Sequence, residues 1–169
     1  MDNYPQWKGS MIIGNCCCGS SSSIINQTQP FFTQTEGTLV IPFGAGTETT
    51  VLTLPVTTTF NLQNVNLDYV IQLAFSLAAG NANADYGARL RLRRDGVLLV
   101  TQTYTNAKSR TGNPPANISR EMVLNTWFDN EAILGQHTYT VTIEFFERLL
   151  ATTTLTVETR SLNAIVFGL

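Results

Sequence analysis

The residues best suited to covalent chemistry are three consecutive cysteines, Cys16, Cys17 and Cys18, and the 169-residue chain has no other cysteine. They lie in the stretch IIGNCCCGSSSS, between a short apolar patch and a run of serines. In an extended chain neighbouring side chains point to opposite sides, so adjacent cysteines bridge each other poorly and reach separate partners well. A stable disulfide must therefore join this segment to another tail or to a different protein.

Other uses of the cysteine cluster are chemically weaker or stay open. Structural zinc sites use spaced pairs such as C-x₂-C, and the backbone between adjacent cysteines is too short to wrap the ion. Palmitoylation beside apolar residues and an unpaired, incidental cluster remain alternatives. The arrangement favours interchain disulfide bonds, which suit a protein that must persist outside cells.

The remaining chemically active residues form no recognisable catalytic or metal-binding motif. His137 is the single histidine, and the chain has no G-x-S-x-G nucleophile motif to accompany it. The stretch GAGTET lacks the lysine of a phosphate-binding loop. Asp129 and Glu131 lack the following glycine and distal glutamate of a calcium loop. We therefore expect no enzymatic activity, no cofactor and no metal.

The strongest charge feature is a row of arginines at every second position, Arg89, Arg91 and Arg93. The period of two places all three on one face of a strand. Such a row could bind an acidic glycan or another anionic partner. The more ordinary interpretation is a solvent-facing strand, or ion pairs with a neighbouring subunit.

The composition argues against nucleic-acid and membrane partners. Ten basic and 12 acidic residues give a net charge of −2, and charged residues form 13% of the chain, against a usual share of about 25%. Neutral polar residues replace the missing charge, as suits surfaces that meet other protein and strands rich in threonine. The sequence shows no apolar run of the roughly 18 residues that span a bilayer, and no secretory signal.

From about residue 36 the apolar residues recur with the period of two that is typical of β-strands. TLVIPF and TTVLTLPV are predicted as strands that each end at a proline, and Asp95-Gly96 is predicted as a two-residue hairpin turn. ISREMVLNTWF is predicted as a further strand, and a helical turn in EMVLNTWFDNEAIL is the alternative. The clearest alternation is in NLDYVIQLAFSLAA, where one face carries Leu67, Tyr69, Ile71, Leu73, Phe75 and Leu77.

These strands predict an all-β fold, a jelly-roll β-sandwich, preceded by a flexible N-terminal connector. We expect residues 1–35 to form the connector, with its cysteine cluster and serine-rich hinge, and residues 36–169 to form the head. In the last strand, Ile165 and Phe167 are apolar on the face opposite Leu162, Ala164 and Val166. Burial on both faces is expected at a subunit axis.

Two resemblances suggest what such a protein does. The apolar residues Ile12 and Ile13 shortly before Cys16-Cys17-Cys18 resemble the N-terminal connector of the endospore appendage pilins of Gram-positive spore formers. The resemblance implies that the connector reaches a neighbouring subunit along a fibre and is locked there by disulfides. Members of that family also carry partner cysteines in the β body, which this chain lacks.

The strand pattern and the ending SLNAIVFGL resemble the trimeric, tumour-necrosis-factor-like jelly-roll heads of spore-surface collagen-like proteins. That resemblance implies a homotrimer whose last apolar strand lines the three-fold axis. We therefore expect a structural subunit of a spore-surface fibre, made without a secretory signal. It would assemble with itself, or with an anchoring or tip protein, through Met11, Ile12 and Ile13. The alternative is a trimeric receptor- or glycan-binding head of a phage or spore-surface fibre.

Overall fold

A computed structural model describes residues 28–61, 63–80, 83–109 and 111–167, and these residues form nine β-strands. The strands are β1 (Gln29–Thr35), β2 (Leu39–Ile41), β3 (Glu48–Thr58), β4 (Gln63–Leu77), β5 (Asn83–Arg94), β6 (Val97–Ser109), β7 (Asn117–Ala132), β8 (Gly135–Arg148) and β9 (Thr154–Phe167).

The strands form two antiparallel sheets with the connectivity of a jelly roll. The five-stranded sheet has the order β1-β9-β4-β7, with β2 also paired to β9, and the four-stranded sheet has the order β3-β8-β5-β6. From β2 onward each strand enters the opposite sheet, except in the β5–β6 hairpin. This alternation places the first and last strands side by side and confirms the predicted jelly-roll β-sandwich.

The core lies between the inner faces of the two sheets and follows the predicted period of two. In β4 every residue of the predicted apolar face is buried, from Leu67 to Leu77. In β5 Leu90 and Leu92 are buried whereas the arginines between them face outward. Three tyrosines with large side chains, Tyr69, Tyr86 and Tyr139, are also fully buried. Burial of this apolar area is the main stabilising term of the fold, at roughly 25 cal/mol per Å².

Two elements differ from the sequence-based expectation, and in a third the predicted strand ISREMVLNTWF is confirmed over its helical alternative. β1 begins at Gln29, within the range expected to be connector, because it pairs with β9 along its whole length. Pro55 does not end β3 but lies within the strand, opposite Thr138. Proline has no N–H to donate, and an edge strand such as β3 tolerates this because its outer side has no neighbouring strand to bond. Residues 117–132 form the long strand β7, with no helical turn in residues 121–132.

One buried arginine holds the irregular edge of the five-stranded sheet. The chain turns away between β1 and β2 at Gly37, which has φ +102°, and β9 has a register shift at the same level. Arg160 fills this gap and donates to three main-chain carbonyls: Val51 at 2.9 Å, Gly37 at 3.0 Å and Glu158 at 3.3 Å. The Arg160 side chain thereby links β3 of the four-stranded sheet to the turn between β1 and β2 in the five-stranded sheet.

Three turns meet at one end of the sandwich, which we name the Asp95 end. They join β3 to β4, β5 to β6, and β7 to β8, and their contacts include Leu134 N–H to Asn61 Oδ1 at 3.0 Å and Thr138 N–H to Asp95 Oδ1 at 2.7 Å. β1 begins at this end, since Gln29 lies opposite Val166 and Asn64 lies opposite Phe167. The N-terminal segment therefore leaves the body beside the Asp95 end.

Candidate functional site

The predicted connector residues Met11, Ile12 and Ile13 and the predicted disulfide residues Cys16, Cys17 and Cys18 lie outside the described residues. What the structure provides is the body to which they are attached and the surfaces available on it. Among the predicted site residues, Ile165 and Phe167 lie on the outer face of the five-stranded sheet, and the arginine row lies on the outer face of the other sheet.

Ile165 and Phe167 point away from the core, as expected for a strand that is apolar on both faces. Leu162, Ala164 and Val166 are buried in the sandwich, whereas Ile165 is half-buried and Phe167 is 36% exposed. Ile165 lies opposite Asn66 of β4, which in turn lies opposite Phe128 of β7. The two residues thus belong to a face that continues across the sheet.

A row of exposed apolar side chains on β7 extends this face. Leu124 and Phe128 are each 61% exposed, and Phe32 of β1 and Val40 of β2 lie toward the opposite edge of the same sheet. The sequence indicates this row, because apolar residues occur at both odd and even positions of β7 and therefore lie on both faces of the strand. The residues of the row are Ile118, Met122, Leu124 and Phe128.

The charged side chains on this outer face have partners on neighbouring strands where β4, β7 and β9 are described. Asp68 accepts from the Thr126 hydroxyl at 2.6 Å. Arg120 pairs with Glu158 at 2.9 Å, and this contact lowers the pKa of Glu158 and raises the pKa of Arg120. A surface that combines exposed apolar residues with few charged groups, each with a partner, is well suited to contact with protein.

The arginine row is held by carboxylates of the same chain. Arg91 lies 2.9 Å from Glu48 and 2.8 Å from Glu144, and Arg93 lies 2.6 Å from Glu48. Arg89 lies 3.5 Å from Glu144 and stacks on the Phe146 ring. Three arginines thus face two glutamates on the outer face of the four-stranded sheet.

Both glutamates titrate below their usual range for local reasons. The hydrogen bond from Arg93 is the main cause that lowers the pKa of Glu48. For Glu144, which is 2% exposed, the main cause is the Gly46 N–H donated at 2.7 Å, with a further contribution from Arg91. The glutamates therefore remain ionised as partners of the row, which leaves little unpaired positive charge for an external anion.

A second charged group lies inward at the Asp95 end. Arg94 donates to both carboxylate oxygens of Asp129, at 2.6 and 2.7 Å, and the buried Tyr139 hydroxyl donates to the same carboxylate at 2.7 Å. Burial and the adjacent Asp129 raise the pKa of Tyr139 above its usual range. Asp129 is therefore part of a buried ion pair rather than of a calcium loop.

His137 is a structural residue at the same end. It is 5% exposed, its Nδ1 lies 2.7 Å from the Asp95 carboxylate, and its Nε2 lies 2.7 Å from the Ile133 carbonyl. Burial opposes the charged form, but the Ile133 carbonyl and Asp95 outweigh it and raise the pKa of His137. With both ring nitrogens engaged, the imidazole has no free lone pair for general-base chemistry.

Two further properties of the described residues bear on function. They contain no group of three or more His, Cys, Asp or Glu residues placed to hold a metal ion. In the same ranges there is no helix with the length and apolar character to cross a membrane.

The comparisons with known proteins give weak likenesses. No family model and no curated protein matches the chain. A structure of the Gx strain of infectious bursal disease virus is 10% identical over 84% of this chain and 32% of that chain, with a TM-score of 0.47. Dimeric latent PorU from Porphyromonas gingivalis is 14% identical over 89% and 14%, with a TM-score of 0.43. The VP2 subviral particle of infectious bursal disease virus is 12% identical over 99% and 38%, with a TM-score of 0.38.

The chain thus spans well under half the length of these neighbours. The TM-scores are too low for any functional conclusion, and the jelly-roll assignment rests on the chain's own strand order.

Proposed function

We propose that this protein is a structural subunit of a spore-surface fibre or appendage, that it assembles with itself, and that it is not an enzyme. Its heads associate as homotrimers through the outer face of the five-stranded sheet. Its N-terminal connector reaches another subunit through Met11, Ile12 and Ile13, and Cys16, Cys17 and Cys18 form interchain disulfides.

The observation that carries the proposal is the exposed apolar face on the five-stranded sheet. Its residues include Leu124 and Phe128 on β7 and Phe167 on β9, all at least 36% exposed in the single chain. Removing apolar surface of this kind from water stabilises an assembly by roughly 25 cal/mol per Å² before the costs of association. A closed cyclic arrangement would make the same contact in every copy and would leave no copy with this contact surface unpartnered.

The position of the cysteines supports a covalent seal between subunits. All three are in the connector, so none can bridge the connector to its own body. A trimer brings nine such thiols to the joint, enough for several bridges between chains. Oxidation after release from the cell would allow these disulfides to form at the spore surface.

A receptor- or glycan-binding head remains the competing function, and it gains little from the arginine row. Arg91 and Arg93 are committed to Glu48 and Glu144. An acidic ligand would have to displace these intramolecular pairs, which adds a cost to its binding.

Non-reducing gel electrophoresis of assembled material tests the proposal. We expect a ladder of covalent oligomers that collapses to one monomer band with reductant, and that is absent from the Cys16→Ser/Cys17→Ser/Cys18→Ser variant. The matched control is the same variant examined without denaturant, where sedimentation should still detect trimeric heads. An identical monomer band with and without reductant would contradict the covalent seal.

A further inference from the structure

A groove opens at the Asp95 end, on the edge of the sandwich where the two sheets do not meet. It has a volume of about 250 Å³ and lies between the start of β6 and the end of β7. Val97, Leu98 and Leu99 form one wall, Trp127 and Phe128 form the other, and the paired Arg94 and Asp129 also line it. Val97 is 60% exposed and Leu98 is 51% exposed, so the apolar wall is open to solvent in the single chain.

Within the described ranges, neither strand that borders this groove has a strand partner on its outer edge, although side chains already bind two main-chain groups of β7. Gln102 Nε2 donates to the Leu124 C=O at 3.3 Å, and the Glu131 N–H donates to Asp129 Oδ1 at 3.2 Å. Among the described residues β7 pairs only with β4, and β6 pairs only with β5. Each therefore presents a row of main-chain N–H and C=O groups along an edge. An extended peptide that lies along such an edge gains main-chain hydrogen bonds, and its alternate side chains enter the adjacent pocket.

The groove suits one or two aliphatic side chains better than a metabolite. Its volume lies below the range of about 300–1,000 Å³ that is usual for small-molecule sites. The charged groups inside it, Arg94 and Asp129, neutralise each other. Glu131 adds an exposed negative charge at the groove, and the only positive charge among residues 1–35 is Lys8, close to Met11.

The connector leaves the body on the opposite edge of the sheet but at the same end. β1 and β7 are the outermost strands on either side of β9 and β4. Two copies placed side by side within the plane of the sheet would bring the β1 edge of one next to the β6–β7 edge of the other, and such a head-to-tail contact can continue from copy to copy along a helical fibre. The 16 residues from Ile13 to Thr28 can extend over about 50 Å, which exceeds the width of three strand spacings, about 14 Å.

We infer that this groove receives Met11, Ile12 and Ile13 of a neighbouring copy, which add to the free edge of β7 as a strand. The inference rests on the proposed function and names the surface that accepts the connector. It places the cysteines of one chain within a few residues of its neighbour's body. There they can meet the cysteines of a further copy.

Photo-crosslinking in the full-length chain tests the inference. An unlabelled chain carrying p-benzoylphenylalanine at Leu98 is mixed, in reductant, with ¹⁵N-labelled wild-type chain and allowed to assemble. We expect the crosslinker at position 98 to capture peptides that contain residues 11–13. In each crosslinked pair of peptides, the connector peptide should carry the heavy label. The matched control carries the same crosslinker at Leu149, which is 56% exposed at the opposite end, and should not capture these peptides.

Other outcomes overturn the inference or separate it from the proposed function. Connector peptides that carry only the light label would show that each chain fills its own groove. Filaments in which Leu98 captures no connector peptide would contradict the groove but leave the fibre function standing. Discrete particles with heavy-labelled crosslinks at Leu98 would support the groove and contradict the fibre.

A second pair of variants guards against an artefact of the crosslinker. Leu98→Asp should reduce the yield of filaments at least tenfold, because a charged residue would then face the apolar connector. Leu149→Asp, with similar initial exposure, should leave the yield unchanged. Equal yields from the two variants would contradict the docking site.

Discussion

The His137 imidazole lies between two acceptors, the Asp95 carboxylate and the Ile133 carbonyl, each at 2.7 Å. A ring whose two nitrogens both face acceptors is best satisfied when both carry protons. Of the other charged groups at this end, Arg94 and Asp129 neutralise each other and Glu131 is negative, so protonated His137 is the balancing charge for Asp95. We predict that the protonated form of His137 joins the β5–β6 turn to the β7–β8 turn.

The first prediction concerns the pH dependence of this contact. The pKa of His137 is raised on folding, so its stabilisation is complete below about pH 6.5, the ordinary pKa, and is lost as the pH rises through the folded pKa. Asp95, with a lowered pKa, stays ionised throughout that range. His137→Gln should cost about 1.5–3 kcal/mol at pH 6 and less at alkaline pH.

Denaturant unfolding of wild type and His137→Gln across pH 6–10 makes the measurement. The difference between the two proteins should shrink as the pH rises. A difference that is constant over this range would contradict a protonated His137.

The second prediction concerns the buried pair of Arg94 and Asp129. Asp129 is 3% exposed, and Asp129→Asn removes the carboxylate that balances the charge of the Arg94 guanidinium. This change should lower the free energy of unfolding by about 3–5 kcal/mol. Asp68→Asn, on the outer face of β4, serves as control and should change it by about 0.5 kcal/mol or less. Similar losses in both variants, measured by urea unfolding, would contradict a special role for the pair.

At the scale of the strands, local patterning predicted the elements whose two faces differ most. β4 and β5 alternate between fully buried and solvent-facing positions, and both were predicted with the correct inward face. β7 was ambiguous with a helical turn because apolar residues occupy both of its faces, one in the core and one exposed. β1 was assigned to the connector because its register depends on β9, more than a hundred residues away.

The partners of the arginine row could not be predicted from the local sequence pattern. The outward face of Arg89, Arg91 and Arg93 follows from alternation, but Glu48 and Glu144 reach them only through strand pairing. Such contacts join residues 43 to 55 positions apart in the chain. The same limit applies to the groove between β6 and β7, which exists only because the two sheets are placed together.

The third prediction tests the apolar face at this scale. Leu124→Asp and Phe167→Asp should each convert the oligomer to monomers, because a carboxylate would have to be desolvated in the contact. Neither change should unfold the head, since both side chains point outward. Analytical ultracentrifugation reports the mass, and Leu149→Asp is the matched control. Trimers that survive both substitutions would contradict the assignment of this face.

The described residues combine a sheet face with many exposed apolar side chains and the edge strands β6 and β7, and the N-terminal segment holds every cysteine of the chain. Each feature is costly in an isolated soluble protein, because exposed edges and apolar faces promote association. All three are explained together if association is the function. The charged contacts at the Asp95 end then keep the turns in place beside the point where the connector leaves the body.

The central claim is that the connector turns separate heads into a fibre, and negative-stain microscopy of two proteins tests it most directly. The full-length chain and a variant lacking residues 1–18 are purified in reductant, returned to oxidising buffer at equal concentration and imaged. We predict filaments from the full-length chain and discrete, soluble heads from the shortened one. Filaments of normal length from the shortened protein would contradict the account.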